Sequence, residues 1–316
     1  MSNLSIVTVA LNRTAHLVQS AKCVSQSDVH DEHLILDFGS NPAVMREELP
    51  DDPRVRLVRC DWRGDWWLTH AYNLAFALAH GDWILKLDAD ALIPVNFLTT
   101  LMESQQSSGI DFLCDRLTVQ DWKLPSSMFR TNGLFLVSRD ALSAVRGFNP
   151  YIQGWGWDEL DLYSRLFLAG FSSRRLPKDD VHSIDHSDAE RQRVVKRGVS
   201  ASRLKKAMNQ KNMLVARQSY LMDLSWPGLD EYSLAFARDK TLPVLPARTL
   251  LNSAQVQALT RRCLQTLLSP GRFRRLFWRL QAYFGYGPFS EKLAQSYLAD
   301  YGIDLALVAS TDAVTQ

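Results

Sequence analysis

Strand and helix signals alternate through the first half of this 316-residue chain, which predicts an α/β fold on a mostly parallel, doubly wound sheet. Two observations sharpen that prediction. Short β-branched and apolar runs each end in a polar turn, and one of them, Leu85-Lys86-Leu87-Asp88-Ala89-Asp90, ends abruptly in two carboxylates. In order, residues 5–11 read as a strand and 14–24 as a polar–apolar periodic helix. Residues 33–36 form a strand that stops at Asp37 and turns through Phe38-Gly39-Ser40; residues 55–58 form the next. Thr69 is placed to cap a helix reaching residue 79, with Ala71, Leu74, Ala75 and Leu78 on one face, and Gly81 to end it. A strand over 83–87 follows, then a helix opened by Pro94 and running to about 104, and a strand over 111–117. Residues 134–137 read as a strand, 139–145 as a short helix and 147–157 as a Gly-, Pro- and aromatic-rich loop. Residues 160–169 form a helix with Leu162, Leu166 and Ala169 inward.

Strand signals stop beyond residue 186. Residues 189–220 are charged and helical, and 254–269, 272–283 and 290–301 read as amphipathic helices. The expected division is an α/β catalytic domain over 1–205 and an all-helical region over 206–316, the boundary falling between 203 and 225. Hydrophobic residues at 46% permit a substantial core. A net charge of +2 offers no bulk electrostatic case for nucleic acid. The four cysteines, Cys23, Cys60, Cys114 and Cys263, lack metal or redox spacing and read as reduced thiols. With neither a signal-peptide pattern nor an apolar run of about 20 residues, the expectation is a cytoplasmic protein. The basic, aromatic run Arg272-Phe273-Arg274-Arg275-Leu276-Phe277-Trp278-Arg279 suits either a solvated face or peripheral contact with the inner membrane face. Oligomeric state is left open.

The paired carboxylates carry the chemistry. The C-terminal end of a strand in an open α/β sheet faces the ligand crevice, and residues i and i+2 of a strand share a side. Asp88 and Asp90 would then face one ligand, and hard oxygen donors suit Mn²⁺ or Mg²⁺ completed by a substrate phosphate. The bland alternative for such a triplet is a solvated turn or helix cap. Later, Gly154-Trp155-Gly156-Trp157-Asp158-Glu159-Leu160-Asp161 sets tryptophans and acids around the start of a helix. Acids there also suit a helix N-terminus.

Taken together, Ala10-Leu11-Asn12-Arg13, Asp37-Phe38-Gly39-Ser40, Asp88-Ala89-Asp90 and the Gly-Trp-Gly-Trp stretch make the chain resemble the GT-A glycosyltransferases of the large family-2 group. Asn132-Gly133-Leu134 through Arg139, with Arg146-Gly147-Phe148-Asn149, is similar to the C-terminal catalytic module of galactosyltransferases. The resemblance runs collinearly over residues 4–186 and implies a Rossmann-like GT-A sheet. It implies that Ala10, Asn12 and Arg13 line the nucleoside pocket, that Asp37 accepts a hydrogen bond from the base, and that Asp88 meets the ribose or the metal. Asp90 would bind Mn²⁺ or Mg²⁺, completed by His182, with His186 as the other candidate. An inverting transfer needs a carboxylate to take the acceptor hydroxyl proton, and gapless matching puts Glu159 there with Asp158 beside it. Gly133, Trp155, Gly156, Trp157 and Asp161 would shape the sugar and acceptor side, and Asn73 falls where the family has an Asn facing the donor. Trp62, Trp66 and Trp67 suit either substrate contact or cover for the sheet.

The sequence departs from the family at Ala10 and Leu11, in place of Pro and an aromatic, at Phe38, in place of the second Asp, and at Asn132, in place of the first Gly. The implied activity is metal-dependent transfer of a hexose or N-acetylhexosamine from a nucleotide sugar, in the first place a UDP-sugar, to a glycan hydroxyl with inversion. Two alternatives stand beside it. One is an inactive carbohydrate-binding scaffold. The other is a sugar-nucleotide nucleotidyltransferase, which would need a Gly-rich basic loop that residues 10–17 lack.

Overall fold

A period of two in the strand residues decides how the layers stack. The computed structural model describes residues 3–107, 109–115, 133–154, 156–176, 181–184, 212, 215–216 and 226–246. In chain order these hold β1 (Leu4–Ala10), α1 (Thr14–Val24), β2 (Glu32–Asp37), β3 (Val55–Arg59), α2 (Leu68–Leu78), β4 (Trp83–Lys86), β5 (Ala91–Leu92) and α3 (Phe97–Gln106). There follow β6 (Phe112–Cys114), β7 (Phe135–Ser138), α4 (Arg139–Ala144), α5 (Asp158–Ala169), β8 (Ser173–Arg175), β9 (His182–Ser183) and α6 (Leu229–Asp239). Seven strands form one sheet in the order β3-β2-β1-β4-β7-β6-β8. β1, β2, β3 and β4 are mutually parallel, and β7 runs antiparallel between β4 and β6. This is the mostly parallel sheet that the alternation predicts and the Rossmann-like GT-A arrangement that the resemblance implies.

Alternate strand residues feed opposite faces. Val7, Val9, Ile84, Phe135 and Val137 join one cluster with Ala71, Leu74 and Ala75 of α2, while Ile6, Leu85 and Leu136 join another with Phe97, Leu98 and Leu101 of α3. Fully burying one such side chain contributes about 1.5–3 kcal/mol. Leu229, Tyr232 and Phe236 of α6 complete the first cluster, so a helix from beyond residue 206 packs on α2 within the main core. The expected helical region over 206–316 did not single out this element, although the 229/232/236 spacing and the acids Asp230 and Glu231 in its first turn announce it. The helices expected over 254–269, 272–283 and 290–301, and nearly all of 189–220, lie outside the described residues.

Three local expectations are corrected. Thr69 does not cap α2; its hydroxyl donates to the Ile152 carbonyl at 2.8 Å and ties the helix to a distant loop. Gly81 lies past the end of α2 and is required by packing, since a Cβ there would stand 2.5 Å from the Ser5 backbone nitrogen. The helix after Pro94 starts three residues later, at Phe97.

Candidate active site

Strand order reverses between β1 and β4, and the crevice beyond their C-terminal ends is where such sheets take ligands. β1 leads to Ala10–Arg13, β4 leads to Asp88–Asp90, and antiparallel β7 begins at the same edge, with Phe135 opposite Lys86. The carboxylate triplet is a turn, not a continued strand. The Leu87 amide still bonds to Val7, but the Ala91 amide closes on the Asp88 carbonyl at 3.0 Å. Ala89, between the acids, packs with Ala10 and Leu17, which seats the triplet against the exit of β1.

Lys86, Asp88, Gly133 and Glu159 converge. The Lys86 ammonium is 2.8 Å from Asp88 Oδ1, 2.8 Å from the Gly133 carbonyl and 3.7 Å from Glu159 Oε1, with its side chain 1% exposed. Gly133 adopts φ +90°, and a Cβ on it would lie 2.8 Å from Glu159 Oε1, 3.0 Å from Lys86 Nζ and 3.2 Å from Asp88 Oδ2. The Tyr72 hydroxyl donates to Asp88 Oδ1 at 3.2 Å, and its ring lies under the ammonium. Burial opposes the charge on Lys86, but Asp88 and Glu159 outweigh it and hold its pKa above the ordinary lysine value. Lys86 is the member of this cluster that sequence reasoning overlooked. Its signal was a cation within an apolar strand, two residues before Asp88.

Asp158 and Glu159 open α5 side by side. Asp158 is buried; desolvation first, then the charge of Glu159 and a hydrogen bond to it, push its carboxyl well above the usual range, with Lys86 offsetting part. Glu159 is 18% exposed at the crevice. The pair therefore divides into a buried acid inside and a partly exposed one at the crevice.

Several candidates turn out to be engaged elsewhere. Asp161 is fully buried and grips Arg165 through Nε at 2.8 Å and Nη2 at 2.7 Å, and Arg165 in turn holds the Val145 carbonyl. The residue expected on the acceptor side thus sits in an internal ion pair. Asp37 is likewise fully buried and accepts from the amides of Ser40 (2.8 Å) and Val44 (3.1 Å) and from Arg59. It shapes the turn at the crevice rather than offering a carboxylate to a base. Asn12, at φ +55°, receives the Asn41 amide on its side chain at 2.7 Å, and its own amide donates to Ser40 Oγ at 2.9 Å. Ala10 is buried with its carbonyl on the Phe38 amide, and Arg13 stands partly exposed at the start of α1. Asn73 clamps the Phe148 backbone, donating to its carbonyl at 2.8 Å and accepting its amide at 2.7 Å, which makes it a loop holder and not a donor contact.

The tryptophans divide too. Trp62 stacks on Phe38 (centroids 5.4 Å apart), Trp66 meets Phe38 edge-on, and Trp67 lies against His70, forming one aromatic bank along the β2 exit. Trp157 takes φ +73° and packs with Ile152, Val215 and Ala216, so its ring is part of a small core. Gly156, at φ +87°, gives its carbonyl to Asn212 Nδ2 at 2.9 Å, and the same nitrogen holds the Gln153 carbonyl at 3.0 Å. Trp155 and His186 lie outside the described residues.

His182 sits on β9, which pairs with β5 immediately after the triplet; the Ile184 amide donates to the Asp90 carbonyl at 2.8 Å. The backbone thus brings the histidine's strand beside Asp90. Among the described residues no group of three or more His, Cys, Asp or Glu side chains forms a ready metal shell. The donor set still fits Mn²⁺ or Mg²⁺. Such ions are held by one or two carboxylates plus substrate phosphates, and Asp88 and Asp90 are both partly exposed at the sheet's switch point.

The sheet, its switch point and the position of this carboxylate crevice are those of the GT-A fold. Residues 5–153 match the family model described as glycosyl transferase family 2. The structure of Staphylococcus aureus TarS 1-349 in complex with UDP-GlcNAc is similar over 90% of this chain and 89% of that one, with 13% identity and a TM-score of 0.50. The mannosyltransferase PcManGT from Pyrobaculum calidifontis, in complex with GDP-Man and Mn²⁺, covers 98% of this chain and 86% of its own at 17% identity and a TM-score of 0.49. A TPR repeat-containing protein of Synechococcus elongatus is 34% identical over 131 residues, 40% of this chain; the match spans 29% of that relative's length.

Proposed function

We propose that the chain transfers a hexose or N-acetylhexosamine from a nucleotide sugar, in the first place a UDP-sugar, to a glycan hydroxyl, with inversion. The observation that carries this reading is the convergence of Glu159, Lys86 and Asp88 around Gly133 at the switch point. UDP-GlcNAc in the similar TarS fold supports the choice of donor. Glu159, crevice-facing beside the buried Asp158, is the base that takes the acceptor proton as that oxygen attacks the anomeric carbon. Asp88 and Asp90, with His182 on the adjoining strand, are the residues that would hold the divalent cation. When bound, that ion stabilises charge on the departing nucleoside diphosphate. The turns of Ala10–Arg13 and Phe38–Asn41 line the nucleoside side, and the loop of Gly156 and Trp157 lies on the acceptor side.

The test is nucleoside diphosphate release from a panel of nucleotide sugars with Mn²⁺, Mg²⁺ or EDTA. Release from one donor, abolished by EDTA and by Asp90→Ala, is the expected result. Absence of both release and Mn²⁺-dependent nucleotide binding would replace this reading with a carbohydrate-binding scaffold.

A further inference from the structure

We infer that Lys86 is a positioning residue that fixes the separation of Asp88 and Glu159, so that one buried ammonium registers the donor side of the crevice against the base. This rests on the transferase reading above. β4 pairs with β1 on one side and β7 on the other, with Lys86 opposite both Val7 and Phe135, so its backbone is held from both flanks. An ammonium has three N–H donors. Three acceptors surround this one: Asp88 Oδ1 at 2.8 Å, the Gly133 carbonyl at 2.8 Å and Glu159 Oε1 at 3.7 Å. The Tyr72 ring, 4.8 Å from Nζ, closes the remaining side, and the Tyr72 hydroxyl fixes Asp88 from there at 3.2 Å.

A role in packing alone is a poor account of this arrangement. Buried ion pairs seldom stabilise a core better than apolar residues of the same volume. Here a fully buried cation bridges two carboxylates that both reach the crevice, with Asp88 36% and Glu159 18% exposed. The three side chains meet at Gly133, where any side chain would force them apart. Lys86 itself is sealed, with two hydrogen bonds, to Asp88 and Gly133, and an ion pair with Glu159, so it acts through Glu159 and Asp88 and touches no substrate.

The experiment uses the full chain with the donor identified above, comparing Lys86→Met, Lys86→Arg, Glu159→Gln and the Lys86→Met/Glu159→Gln double variant. Misplacing a reacting group by about 1 Å can cost on the order of 100-fold. Lys86→Met is therefore expected to lower kcat about 100-fold with donor KM within about 3-fold. The double variant should be no slower than Glu159→Gln, because both changes remove one function. Lys86→Arg keeps the charge, so it preserves the fold where Lys86→Met does not. Its planar fork cannot meet three diverging acceptors, and kcat should fall at least 10-fold with nucleotide binding retained. Turnover within about 3-fold of the parent in either folded Lys86 variant overturns the proposal, as do multiplicative losses in the double variant. Full turnover by Glu159→Gln removes Glu159 as the base and overturns the proposal with it, whereas absence of both release and Mn²⁺-dependent nucleotide binding in the parent chain is what overturns the transferase reading.

Discussion

Asp158 and Glu159 are adjacent in sequence and opposite in circumstance. Asp158 is buried, and desolvation together with the charge of Glu159 raises its pKa, so Asp158→Asn is the milder change, whereas Glu159→Gln removes the acid that meets the crevice. We expect Glu159→Gln to lower kcat by about 10²–10⁴-fold, and Asp158→Asn to retain far more activity, both read by nucleoside diphosphate release. Equal losses would mean that the pair acts as one base. Asp161 makes the contrast three-way: removing its half of the buried Arg165 pair with Asp161→Asn should cost about 3–5 kcal/mol of stability with Mn²⁺-dependent nucleotide binding unchanged. The sequence could place three acids at the start of α5 but could not assign them. Burial differs between neighbours on a helix, and only the packing of Arg165 and Lys86 shows which acid each one meets.

At the scale of elements, loops are held by single buried side chains. Asn73→Ala would leave both the amide and the carbonyl of Phe148 without their partner, and should cost about 2–4 kcal/mol in urea unfolding. Gly39, at φ +89°, faces the Trp62 carbonyl, which a Cβ would approach to 2.0 Å. Gly39→Ala should therefore cost at least about 2 kcal/mol and unseat Trp62 from Phe38, visible as a shift in tryptophan emission. The main strands and α1, α2 and α5 were legible because apolar periodicity sets both element type and buried face. Less legible were contacts between distant segments. The Asp88–Asp90 turn, the Asn73 clamp and the seating of α6 on α2 all depend on partners that no local pattern names.

For the whole molecule, three buried histidines set the response to acid. Burial lowers His33 to about 3 and His30 and His70 to about 4. The unfolded chain binds protons near pH 6.5 while the fold keeps these rings neutral, so stability is full above that pH and declines as pH falls toward 4. Each group contributes about 1.4 kcal/mol per pH unit across that window, roughly 4 for the three, against a total stability of about 5–15 kcal/mol. Urea unfolding at pH 7, 6 and 5 should show this loss, and constant stability from pH 6.5 to 5 would refute it.

The Asn212 clamp carries one more consequence for the molecule. Its amide spans the Gln153 and Gly156 carbonyls from a segment far along the chain, while Lys86, Asp88, Gly133 and Glu159 take no part in that grip. The loop that leads into the Asp158–Glu159 pair is thus shaped from outside its own stretch of sequence. On the proposed reading, substitutions at Asn212, Val215 or Ala216 can reset the shape of that loop while every residue of the Lys86 cluster keeps its identity, so a lineage can vary the acceptor without changing the residues assigned to the chemistry.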